Sequence, residues 1–320
     1  ARGVFLARDL INTPCSDMGP AELQEAAQEL ADEHGGTLNV VTGEALERGF
    51  PMVHAVGRAA AAGREPRLLD LTWGPTDPAT PRVTLVGKGV CFDTGGLNIK
   101  PGGNMSTMKK DMGGAANVLG LAAMVMGSGC NVRLRVLVSA VENAIDGGAF
   151  RPSDILHSRK GLTVEVGNTD AEGRLVMADA LTLADEDAPE LLIDMATLTG
   201  AHRVALGWDL PGIFTDDDAL AAELERACEA TDDPSWRLPL WKPYAKKLKS
   251  KWADLNNISD GPQAGAITAA LFLRRFTDSP HWLHVDFNGY NAGRPGYPEG
   301  GEAQVIRAFH HLIKSRYGAK

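Results

Sequence analysis

Short aliphatic and β-branched runs alternate along this chain with longer stretches of helical periodicity, and that alternation limits the folds open to it. Strand-like runs lie at 38–41, 53–56, 68–73, 83–86, 132–141, 162–166, 191–195 and 282–287. Helical stretches lie at 20–33, 113–126, 175–186, 217–230, 243–250, 264–276 and 302–314, and a partial helix opens the chain. The first of these carries Pro20 in its first turn and Gly35 past its end, the usual asymmetry of helix start and stop. The alternation predicts an α/β fold: a mixed, mostly parallel twisted sheet with helices on both faces. In such sheets sites gather beyond the carboxyl ends of the strands. The two loops richest in reactive side chains follow the runs 83–86 and 162–166.

Composition removes several classes of function. Of 320 residues 44% are apolar, enough for a sizeable core, so disorder is excluded. A net charge of −9 argues against a broad nucleic-acid or anionic-membrane footprint, and neither partner is expected. The four cysteines, Cys15, Cys91, Cys130 and Cys228, are far apart and form no C-x-x-C pair. They are neither a disulfide framework nor a zinc ribbon, and a reducing compartment is the default. The apolar stretch at 118–127 is too short to cross a bilayer.

The chemistry concentrates in two segments. One is VGKGVCFDTGGLNIK (86–100) followed by MKKDMGGAAN (108–117); the other is NTDAEGR (168–174). The glycine-rich loop invites comparison with a phosphate-binding loop, but Gly89, not Ser or Thr, follows Lys88. The dinucleotide fingerprint is absent too. If NTDAEGR is extended, Asp170, Glu172 and Arg174 share one face, the first two about 6.6 Å apart. Like charges so placed need a cation between them. Asp93, Asp111, Asp170 and Glu172 together carry four negative charges, which two divalent ions would balance. A dinuclear centre with ions roughly 3.5–4 Å apart is the arrangement such carboxylates serve. Taken singly, each residue is more often a turn residue, a solvated charge or a surface pair.

Taken together, these segments closely resemble the cytosolic leucyl aminopeptidases, a family of dinuclear-metal exopeptidases. ARDLINTP (7–14), DMATLTGA (194–201), WRLPLW (236–241) and AGAITAALFL (264–273) extend the resemblance over nearly the whole chain. The resemblance implies a metal-dependent aminopeptidase that releases N-terminal residues by attack of hydroxide on a two-metal centre, with Mn or Zn as the ions. By the same resemblance, Asp93, Asp170 and Glu172 hold one ion, and Lys88, Asp93, Asp111 and Glu172 hold the other. Lys100 contacts the substrate carbonyl, and Arg174 holds a bicarbonate-like anion that moves the proton. Lys88 as a ligand must be neutral, which costs roughly 4.6 kcal/mol at pH 7 from an ordinary lysine pKa of about 10.4. A nearby dication offsets that cost.

The resemblance places Met108, Thr197 and Gly200 in the pocket for the first residue of the peptide. In VDFNGYN (285–291) it places Asn288 and Asn291 where small or apolar residues are usual, which allows a more polar first residue. Residues 1–35 are expected to be the end of a linker helix and the approach to the catalytic domain, and 36–320 the catalytic domain itself. The family's additional N-terminal domain has no counterpart in this chain. Cytoplasmic location, a homo-hexamer and peptide substrates with a free N-terminus are further implications. Two rival functions are a two-metal phosphoesterase, which lacks these motifs, and a DNA-binding protein, which the acidic balance disfavours.

Overall fold

The computed structural model describes residues 1–293 and 297–318. Eight strands form one sheet, in the order Thr37–Val41, Arg67–Trp73, Arg133–Asn143, Arg82–Asp93, Leu191–Ala196, Trp282–Asp286, Gly212–Phe214 and Trp236–Arg237. The four central strands, Arg133–Asn143 to Trp282–Asp286, run parallel to one another. Antiparallel neighbours flank them on both sides. The sheet is therefore mixed with a parallel centre, as the alternation of elements predicts.

Side-chain alternation divides the central strands between two cores. On one face Leu191, Ile193 and Met195 join Val136, Leu283 and Val285 beneath the helices Arg2–Asn12, Gly113–Gly127 and Ile306–Tyr317. On the other face Val86, Leu137, Val141 and Leu192 meet the helices Pro51–Gly57, Glu172–Glu186 and Gly265–Leu273. The helix Gly113–Gly127 is apolar on every side and almost wholly buried, as expected for a helix sandwiched between the sheet and two others. Covering both faces is what a parallel sheet requires.

Three sequence expectations change. The run 53–56, read as a strand, lies within the helix Pro51–Gly57. Four apolar residues cannot distinguish the two periods. Pro51 at the first turn and the Asp179 carboxylate, which accepts from Met52 N at 2.8 Å, decide for helix. The strand expected at 83–86 runs on to Asp93, so Lys88 and Asp93 sit on the strand and not in a loop. NTDAEGR is not extended: Thr169–Ala171 is a 3-10 turn that runs directly into the helix Glu172–Glu186. Among the described residues, no helix is long and apolar enough to cross a membrane.

Candidate metal centre

The carboxyl ends of the four central strands build the site: Leu191–Ala196 and Trp282–Asp286 stop near the level of Lys88, and Arg82–Asp93 and Arg133–Asn143 run on past them to Asp93 and Asn143. Arg82–Asp93 delivers Lys88 and, at its last position, Asp93. Arg133–Asn143 delivers Asn143, whose Nδ2 donates to Asp93 Oδ1 at 2.8 Å and to the Thr169 carbonyl at 3.1 Å. Thr197 to Gly200 follow Leu191–Ala196 directly, and Asp286 ends the fourth strand. The loop after Asp93 is tied to the 168–170 turn through Thr169, whose Oγ1 donates to the Gly95 carbonyl at 2.6 Å. Asn98 exchanges bonds of 2.8 Å with the same threonine. Gly95 holds a positive φ of 86°, and a side chain there would come 3.2 Å from Asp170 Oδ1, so the turn needs glycine.

Lys88, Asp93, Lys100, Asp111, Asp170 and Glu172 meet in a cavity of about 120 Å³, with Lys110 and Arg203 also on its wall. Asp93, Asp170 and Glu172 each offer an oxygen within 4.8 Å of the others. Lys88 Nζ lies 2.7 Å from Asp111 Oδ2 and 2.9 Å from Glu172 Oε1. Lys100 Nζ lies 2.8 Å from Asp93 Oδ2 and 2.5 Å from Asp170 Oδ1. Thr197 Oγ1 donates to Asp111 Oδ1 at 2.8 Å and fixes that carboxylate. Glu172 opens its helix, where the dipole favours negative charge. A side chain on Gly173 would come 2.8 Å from Lys88 Nζ, so glycine here lets the lysine approach.

The electrostatics are strained by crowding. Burial raises Asp170 to about 7, and the Asp93 and Glu172 carboxylates push it the same way. Burial also raises Asp111 above the ordinary carboxylate range. Burial works to lower Lys88 and Lys100, but their carboxylate neighbours win and hold both above the usual lysine value. Asp111 Oδ2 and Asp170 Oδ1 have only those ammoniums as partners, and Glu172 Oε2 is buried with no hydrogen-bond partner among the described residues. Buried carboxylate oxygens crowded around an amine are a donor set suited to divalent cations such as Mn or Zn. The residues present fit the ions that the sequence implies.

Comparisons with known proteins show the family. The model of the cytosol aminopeptidase family's catalytic domain matches residues 5–309. The chain belongs to the cytosol aminopeptidase family. A probable cytosol aminopeptidase of Roseiflexus castenholzii is 47% identical over 90% of the chain, and one of Syntrophotalea carbinolica 45% identical over 98%. The chain spans 59% and 63% of those two relatives. A crystal structure of cytosol aminopeptidase from Coxiella burnetii superposes with a TM-score of 0.95 at 52% identity, over 98% of this chain and 68% of that one. The manganese complex of the bottromycin maturation enzyme BotP superposes at 0.91 and 38% identity, over 98% and 70%.

Family membership leaves the placement of each expected residue to be read from the geometry. Met108, Thr197 and Gly200 line the metal cavity. Asn288 and Asn291 line a neighbouring cavity of about 430 Å³ instead. The Asn291 amide is committed to its own hairpin, donating to Gly300 O and to Glu302 Oε2. Arg174 is not among the residues walling the metal cavity; its Nη1 donates to Asn257 O at 2.6 Å, and its Nε is buried with no hydrogen-bond partner among the described residues. Sequence reasoning missed four neighbours of the site. Asn143 orients Asp93. Asp286 anchors the 198–199 loop by accepting from both backbone amides. Lys110 and Arg203 line the cavity. Lys110 was legible as the neighbour of Asp111 in MKKDM; the other three come from distant segments and carried no local signal.

Proposed function

We propose that this chain is the catalytic part of a dinuclear metal-dependent aminopeptidase acting on peptides with a free N-terminus. The observation that carries the reading is the convergence of Lys88, Asp93, Asp111, Asp170 and Glu172, with Lys100, on one cavity in a member of this family. Asp93, Asp170 and Glu172 would hold one ion, with the Asp170 carbonyl beside them, and Lys88, Asp93, Asp111 and Glu172 the other. The ions would anchor the substrate amine, polarise the scissile carbonyl and acidify a water molecule. The manganese-bound neighbour supports Mn as one such ion, with Zn the alternative.

The chain's own groups complete the chemistry. Lys100, held between Asp93 and Asp170, donates to the substrate carbonyl oxygen as negative charge develops there. Arg174 supplies a guanidinium whose buried Nε has no hydrogen-bond partner among the described residues, and it would hold a bicarbonate-like anion that passes the proton to the leaving amine. Met108, Thr197 and Gly200 receive the first side chain. A cytoplasmic homo-hexamer is the proposed setting, with the exposed Trp208, Trp236, Trp241 and Trp252 available for subunit contacts.

Hydrolysis of leucine-p-nitroanilide and of its N-acetylated form by metal-stripped protein, with Mn or Zn restored, tests the reading. Metal-dependent cleavage of the free-amine substrate alone is expected. Equal cleavage of the acetylated substrate would remove the amine-anchoring role. Lys100→Ala and Arg174→Ala should lower turnover with metal content intact; loss of both ions in either variant would contradict these roles.

A further inference from the structure

We infer that the pocket for the first residue selects a carboxylate side chain, Asp or Glu, through Lys110 and Arg203. The inference rests on the aminopeptidase reading above and names its substrate class.

Lys110 lies on the 3-10 turn Met108–Met112, between a pocket residue and a metal-site carboxylate. It is 5% exposed, yet its Nζ makes no hydrogen bond or ion pair among the described residues. Lys88 and Lys100, a few ångströms deeper, each bridge two carboxylates. Lys110 lines both the metal cavity and the adjoining 430 Å³ cavity. A buried ammonium without a counter-charge is costly until an anion joins it.

Arg203 supplies a second cation on the same wall. Its guanidinium lies against Gly200, where an added Cβ would sit 3.0 Å from Nη2. It stacks over the Trp208 ring at 4.8 Å, and Nη1 donates to Asn288 Oδ1 at 3.2 Å. These partners are neutral, and Arg203 forms no ion pair among the described residues. The nearby Asp286 is occupied by Leu198 N, Thr199 N, Thr199 Oγ1 and His202. Asp209 and Glu299 line the outer cavity, but neither reaches Lys110 or Arg203 within ion-pair distance.

Charge balance points the same way. Two divalent ions neutralise Asp93, Asp111, Asp170 and Glu172. Lys100, Lys110 and Arg203 then remain as excess positive charge; Lys100 serves the scissile carbonyl in the reading above, and the other two are interleaved with Met108, Gly200 and Asn288. A peptide can bring a carboxylate there from its first side chain or, if it is a dipeptide, from its C-terminus. Contact with the first-residue pocket favours the side chain.

The test measures kcat/KM of the Mn-loaded chain on the α-p-nitroanilides of Glu, Gln and Leu, and on Leu-Gly and Leu-Gly amide. Glu and Gln match in shape and differ in charge. Glu is expected to exceed Gln by roughly tenfold or more, with Leu-Gly and its amide cleaved alike. Lys110→Met should bring the Glu/Gln ratio to about one or below, and Arg203→Gln should lower it less. The arginine variant keeps the test open should the buried lysine variant unfold. Glu no better than Gln in the native protein, or a ratio unchanged in both folded variants, overturns the inference. A preference for Leu-Gly over its amide, with no Glu/Gln difference, assigns the cations to the C-terminus and overturns it as well. Cleavage of none of the five substrates overturns the aminopeptidase reading itself, and this inference with it.

Discussion

The strand Arg82–Asp93 carries charge at both ends, and the two ends treat it differently. At the amino end Arg82, Arg133 and Arg135 line a cavity of about 450 Å³ with Asp70 and Asp187. Arg135 meets Asp70 through two parallel bonds of 2.9 and 2.7 Å and also pairs with Asp187. Arg82 reaches Asp187 at 3.1 Å, and Arg133 donates to the carbonyls of Thr80 and Pro78. At the carboxyl end, among the described residues, Glu172 Oε2 is buried without a hydrogen bond and Lys110 forms no ion pair, and Asp170 is pushed up to about 7. The amino end is a satisfied ion-pair network that holds strands together. The carboxyl end is poised for ligands, and its cost is borne by the rest of the fold.

That contrast breaks first at Lys88. Lys88→Arg should lose one of two bound metals, because guanidinium stays charged and cannot ligate. Activity should fall at least ~100-fold, and elemental analysis still finding two metals per chain would sink the ligand assignment. At the opposite end Asp70→Asn should leave metal content unchanged and cost about 2 kcal/mol in urea denaturation, through loss of a charge-assisted pair. A metal defect in that variant would mean that the two ends are coupled.

A finer probe is Gly173→Ala. Its methyl would meet the far ends of two side chains, Lys88 Nζ at 2.8 Å and Leu198 Cδ1 at 3.1 Å, so fold stability should change by about 1 kcal/mol or less. Displacing a ligand by a fraction of an ångström should weaken metal affinity roughly tenfold, read by titration of stripped protein. An unaltered affinity would show that Lys88 has room to move.

A pH probe concerns a third way of keeping a buried carboxylate. Asp179 faces backbone N–H groups, accepting from Met52 and Arg159 at 2.8 Å each. Burial still pushes it up to about 7. The folded state therefore binds this proton more tightly than the unfolded state. Its contribution is full below about pH 4 and is lost as pH rises through about 7. Urea melts at pH 5 and 8 should show that loss in the native chain and a shallower one in Asp179→Asn; equal slopes would place the titration elsewhere.

Much of this molecule is local in origin. The alternation of periods fixes an α/β sheet, and the motifs at 86–100, 108–117 and 168–174 name the charged residues that the fold brings to one cavity, because composition and spacing are properties of short segments. The run 53–56 was illegible because four apolar residues suit either period until Pro51 and a distant carboxylate choose. NTDAEGR named two carboxylates that do share the cavity, but through the wrong geometry, since they converge as well from a 3-10 turn and a helix start as from a strand. Tertiary structure alone brought Asn143, Asp286 and Arg203 to the site and left the Lys110 ammonium without an ion pair among the described residues. Those facts depend on which strand ends lie side by side, and a pairing between residues 50 to 88 positions apart leaves no trace in the sequence around either.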